Sequence, residues 1–117
     1  MNYAAVLAGL PDAVIAVDAD LRVVFWNAAA EVLMERSARR AEGRFLKELC
    51  PPDASLVRRL AETLATGESR SEPEGTIERG EGRRVPVSLV TAPLFAHAGT
   101  VEGGVAVLRD LSRIRQL

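Results

Sequence analysis

The sequence predicts an α+β fold, a five-stranded antiparallel sheet with short helices packed on one of its faces. Two observations carry this reading. Strand-like segments stand at both ends of the chain with helical segments gathered between them. The last three strands then follow one another across short glycine-containing turns, which makes an antiparallel meander. At 117 residues the chain has the length of one ordinary domain, so one core is expected.

In chain order, residues 1–10 are expected to form a short helical segment with Tyr3, Val6, Leu7 and Leu10 on one face, stopped by Gly9 and Pro11. Residues 13–17 are apolar and partly β-branched. Asp18-Ala19-Asp20 supplies turn chemistry, and residues 22–26 complete a hairpin. Asn27 follows, and its side-chain oxygen is a strong helix N-cap because it accepts from the free amides of the first turn. The helix over 28–36 gains an apolar face from Ala29, Ala30, Leu33 and Met34. Residues 37–43 read as a short irregular or helical link and 44–49 as a short helix closed by Pro51-Pro52. Asp53 or Ser55 is expected to cap the next helix, where Leu56, Leu60 and Leu64 recur every fourth residue, and Gly67 ends it. Strands are expected over 75–79, 85–95 and 101–110, with turns at 80–82 and 96–99.

Composition excludes several function classes. Fifteen basic residues stand against sixteen acidic ones, spread along the chain with a net charge of −1, so no basic face for nucleic acid is expected. The longest apolar runs fall far short of the roughly 20 residues of a membrane helix, and the first residues lack the basic flank of a secretory signal. Cys50 is the one cysteine. It has no internal disulfide partner and no neighbouring metal-ligand spacing, which suits a reducing, cytoplasmic setting. Nucleophilic catalysis is not expected, because serines 37, 55, 69, 71, 88 and 112 share one possible base, His97, placed in a turn. The glycines of residues 99–104 lie on a turn and strand rather than before a helix, so they form no phosphate loop.

Several stretches resemble the PAS domain family. Leu10-Pro11-Asp12-Ala13-Val14-Ile15-Ala16-Val17-Asp18 and Val24-Phe25-Trp26-Asn27-Ala28-Ala29-Ala30-Glu31 are similar to the family's opening hairpin and asparagine-started helix. Gly43-Arg44-Phe45-Leu46 resembles its glycine and short apolar helix. Gly103-Gly104-Val105-Ala106-Val107-Leu108-Arg109-Asp110-Leu111-Ser112 resembles its last strand and exit motif. The closing residues look like the junction in two-component histidine kinases of the nitrogen-regulatory kind. The resemblance implies a PAS domain over 11–110 and the start of a signalling helix over 111–117. It implies a regulatory sensor that forms a homodimer and relays a ligand- or partner-induced change to an output domain, with no catalysis of its own. The alternatives are a ligand-free interaction scaffold and the PAS domain of a transcriptional regulator.

Within that resemblance, Asp110 and Ser112 stand at the exit to the output, and Asn27 and Trp26 are structural. Val17, Phe45, Leu49, Leu60, Val87, Leu89 and Val107 are the expected lining of any pocket, and equally the residues an empty core packs. No cofactor is expected. The photoactive flavin branch sets its cysteine in Asn-Cys-Arg-Phe-Leu-Gln, whereas here Glu42-Gly43 precedes Arg44-Phe45-Leu46. Haem-binding members use a histidine on the long helix, which has none here. Arg58, Arg59, Arg83 and Arg84 offer charge for an anion site, against the plainer reading of solvated arginines.

Overall fold

The computed structural model describes residues 12–51 and 53–112, the side chain of residue 81 aside. The expected helical segment over 1–10 and the signalling segment beyond Ser112 lie outside the described residues. A hairpin of β1 (Ala13–Asp18) and β2 (Val23–Trp26) leads into α1 (Ala28–Met34), α2 (Ala38–Ala41), α3 (Leu46–Leu49) and the long α4 (Ser55–Thr66). β3 (Arg70–Glu78), β4 (Arg84–Phe95) and β5 (Val101–Asp110) follow as the meander. The strand order is β2-β1-β5-β4-β3, every pair antiparallel, so the first and last strands are neighbours at the middle of the sheet.

β1 reads as an unbroken apolar run, and Ala13 to Val17 are all buried: Ala13, Ile15 and Val17 belong to the core under the helices, and Val14 and Ala16 lie on the other face. At its end the Asp18 carboxylate accepts from the amides of Asp20 and Arg22 at 2.9 and 3.0 Å, holding a turn in which Leu21 takes a left-handed φ of 64°. Asn27 caps α1 as expected, and Gly67 closes α4 in the left-handed region at φ 70°.

Ile15, Val17, Leu46, Leu56, Leu60, Val87, Leu89 and Leu108 form the centre of the core, between the helices and the inner face of the sheet. α4 lies close on the last strand. A Cβ added to Gly104 would stand 3.2 Å from Leu60 Cδ2.

Three expectations about elements are corrected. β3 begins at Arg70, not Gly75, because it is an edge strand whose pairing with β4 shifts between Glu72 and Gly75; that irregularity takes in Pro73, whose missing N–H an edge tolerates. Neither Asp53 nor Ser55 caps α4. Ala54 is its N-cap and offers no side-chain bond, while the Ser55 hydroxyl turns to Glu72. Helix α1 stops at Met34, not Arg36, because Glu35 turns left-handed at φ 53°. The link over 37–43 takes the helical of its two expected forms in the short α2, with the Ser37 hydroxyl accepting from Arg40 N.

Candidate functional site

The described residues of interest gather in two places, the joint where the chain enters and leaves the sheet, and the sheet face turned away from the helices. At the joint Asn27 is a buried hub, 2% exposed. Its Oδ1 accepts from Val14 N and Ala30 N, both at 2.9 Å, and its Nδ2 donates to the Asp12 carbonyl at 3.0 Å. One amide thus ties the start of β1 to the first turn of α1. Asp12 in turn pairs through its carboxylate with Arg109, at 3.2 and 3.3 Å. The mutual attraction raises the Arg109 guanidinium further above its ordinary range.

Asp110 Oδ1 accepts from Ser112 N at 2.8 Å and from the Ser112 hydroxyl at 2.5 Å, and Leu111 N donates to the Pro86 carbonyl at 2.9 Å. A groove of about 640 Å³ opens at this joint, with Ala13, Ala29, Val32, Leu33 and Leu108 as its apolar wall and Asp12, Arg109 and Asp110 as its charged rim.

The outer face of the sheet follows from period-2 geometry: residues directly opposite in an antiparallel pair share a face. Val14 stands opposite Val107 and Val107 opposite Val90; Ala16 stands opposite Val105 and Val105 opposite Ala92. This makes two apolar rows across three strands, exposed at Val90 and Val107 and buried at Val14 and Ala16. Each is built from side chains that the packing of the helices does not use.

The expected pocket-lining residues divide. Val17, Leu60, Val87 and Leu89 are buried in the core and Leu49 is half-buried beside it. Phe45 and Val107 are corrected, at 39% and 37% exposed. Val107 lies between the inward-facing Ala106 and Leu108, so alternation sends it to the outer face. Phe45 precedes α3 outside its buried side, and its ring lies under the Arg22 guanidinium, 4.4 Å from the centroid. Trp26 faces the helices rather than solvent, its indole N–H donating to the Arg36 carbonyl at 3.0 Å.

The arginines weighed for an anion site are mostly engaged. Arg59 and Arg58 reach Glu72 at 2.9 and 3.7 Å, and Arg83 reaches Glu35 at 2.5 Å. His97 lies exposed in the turn between β4 and β5. Local reading missed the Asp12–Arg109 pair, and also Thr63 and Thr91, which face each other in the core with hydroxyl oxygens 2.7 Å apart. A threonine on the apolar side of both α4 and β4 is the signal that marks the second pair.

Among the described residues no three of His, Cys, Asp and Glu converge as metal ligands, and no helix is long and apolar enough to cross a membrane. Cys50 is buried, and desolvation pushes its thiol up to about 11, with Arg36 opposing weakly. In the folded protein at pH 8, the thiol should therefore react with a disulfide reagent at least about tenfold more slowly than in urea. Equal rates would show that the site opens readily.

The chain belongs to the PAS fold family, whose family model matches residues 7–116. Domains of this family are sensory and regulatory modules, generally without catalysis. Among solved structures, the PAS domain of a protein from Colwellia psychrerythraea superposes with a TM-score of 0.79 at 17% identity, over 95% of each chain. The PAS domain of nitrogen regulation protein NR(II) from Vibrio parahaemolyticus gives 0.75 at 23% identity, over 94% of this chain and 98% of that one. The LOV domain of the blue-light activated histidine kinase EL346 from Erythrobacter litoralis gives 0.70 at 22%, over 87% and 97%. No curated protein matches the chain.

Proposed function

We propose that this chain is the cytoplasmic regulatory sensor and dimerisation domain of a bacterial signal-transduction protein, a histidine kinase, and that it performs no chemistry itself. One observation carries the reading. β5 holds the half-buried Val105 and the exposed Val107 of the outer face and ends at the exit residue Asp110, which is bonded to Ser112. Two copies meeting through that face place their exits beside one another, and a shift in packing at the valines moves the exit through the same strand. Val90 and Val107 are exposed side by side on adjacent strands, and an exposed apolar patch is the usual mark of an interface. The signal is a ligand or partner that stabilises one packing over another, since equal affinity for both shifts nothing. The likeness to the LOV domain of a blue-light activated histidine kinase supports a kinase as the output.

Sedimentation velocity tests the interface. Val107→Glu with Val90→Glu sets two carboxylates in each copy's face, and the dimer is expected to weaken by at least about a hundredfold while the circular dichroism stays unchanged. A wild-type chain that stays monomeric at high micromolar concentration would refute the dimer.

A second reading, a ligand-free interaction scaffold, is favoured by the close seat of Leu60 on Gly104, which leaves little space between α4 and β5. Native mass spectrometry separates the two, since bound mass on the purified domain marks a ligand sensor and a bare dimer marks a scaffold. The cofactor reading stays with none. Gly43 stands where the flavin branch places its cysteine, and the long helix has no histidine.

A further inference from the structure

The long helix is fastened to the edge strand most closely at Glu72, with a looser ion pair between Arg70 and Glu62 at 3.6 Å farther along. Glu72 sits where β3 shifts register against β4, and its carboxylate gathers two side chains one turn apart on α4. Oε2 accepts from the Ser55 hydroxyl at 2.5 Å, and Oε1 accepts from Arg59 Nε at 2.9 Å, with a second Arg59 nitrogen also at 2.9 Å. Arg58 stands farther off at 3.7 Å. These bonds, the Ser55 hydroxyl first, hold the Glu72 carboxyl below its ordinary range against partial burial.

The backbone makes room for this arrangement. A Cβ on Gly75 would stand 2.8 Å from Glu72 Oε2, so glycine there leaves the space the carboxylate occupies. The first turn of α4 has little else of this kind, because its N-cap, Ala54, gives no side-chain bond. Directly beneath lie Leu56 and Leu60 on the helix and Ile77, Val87 and Leu89 on the sheet, all buried.

We propose that Ser55, Glu72 and Arg59 form a latch, and that its release lets the first half of α4 lift from β3 and opens the core along that seam to a small apolar ligand. The ligand clause rests on the sensor reading; the opening itself does not. The seam is suited to the role because, among the described residues, α4 makes no backbone–backbone hydrogen bond to the sheet and is held there by side chains.

Native-state hydrogen exchange on the whole chain, without ligand, tests the latch. In Glu72→Gln the amides of α4 from Val57 to Thr63 should exchange about tenfold faster, while those of β1 and β5 stay within about twofold of wild type. Arg59→Lys, which keeps the charge and loses the Nε donor, should shift the same amides in the same direction. Glu48→Gln removes the exposed ion pair with Arg44 and should leave α4 unchanged. Unchanged exchange in α4, or equal acceleration throughout the sheet, would overturn the proposal, the latter because Glu72 would then stabilise the domain as a whole. Should Glu72→Gln not fold, Arg59→Lys decides. A monomeric or ligand-free protein would defeat the sensor reading and leave this exchange pattern intact.

Discussion

Asn27→Ala is expected to cost about 3–7 kcal/mol of the roughly 5–15 kcal/mol that holds a domain of this kind together. The residue is 2% exposed, and its amide meets three backbone groups that no water can reach easily. Removing it takes away the cap of α1, worth about 1 kcal/mol, and leaves the Val14 amide and the Asp12 carbonyl without the partner they use, at about 1–3 kcal/mol each. Asn27→Asp keeps both bonds accepted by Oδ1 and sets a carboxylate oxygen against the Asp12 carbonyl, so its loss should be smaller, about 1–3 kcal/mol. Urea denaturation monitored by Trp26 fluorescence measures both variants. A loss near 1 kcal/mol for Asn27→Ala would mean that the cap alone matters and that the tie to β1 contributes nothing.

Two adjacent glycines on β5 should behave very differently. A Cβ on Gly103 would lie well inside 3.0 Å of the Val17 carbonyl oxygen, a backbone atom fixed by the pairing of β1 with β5. Gly103→Ala therefore requires two central strands to part locally, and a loss of about 3 kcal/mol is expected, or roughly 15 °C in melting temperature. At Gly104 the nearest obstacle is the Leu60 side-chain end at 3.2 Å, which can turn. Gly104→Ala should cost no more than about 1 kcal/mol, within roughly 5 °C. Thermal melts of the two variants under one condition make the comparison. Equal shifts would show that the backbone approach at Gly103 is not what limits that position.

The sequence disclosed the order of the elements because periodicity and turn chemistry are local, and Asn27 and Gly67 act within a few residues of themselves. The start of β3 was hidden because Arg70 to Glu74 carries charges and Pro73, which look like a loop unless the strand is known to lie at an edge. Edge position is set by partners elsewhere in the chain. Val107 was misplaced for a related reason. The run Val105-Ala106-Val107-Leu108 has no polar residue to mark a face, and alternation fixes which residues share a side, not which side is inward. Phe45 shows that an aromatic residue beside a buried leucine can still lie on the surface. The latch and the Asp12–Arg109 pair join residues 17 and 97 positions apart, distances that no local pattern spans.

The side-by-side placement of the chain's way into the sheet and its way out has a mechanical consequence. β1 and β5 are antiparallel neighbours with Ala13 opposite Leu108, so tension applied at Asp12 and Asp110 acts at one end of their ladder. It separates the six pairs in turn from that end, Arg109 and Asp12 first, instead of shearing them all at once. The domain is therefore compliant to a pull between Asp12 and Asp110, since the ladder yields one pair at a time from that end.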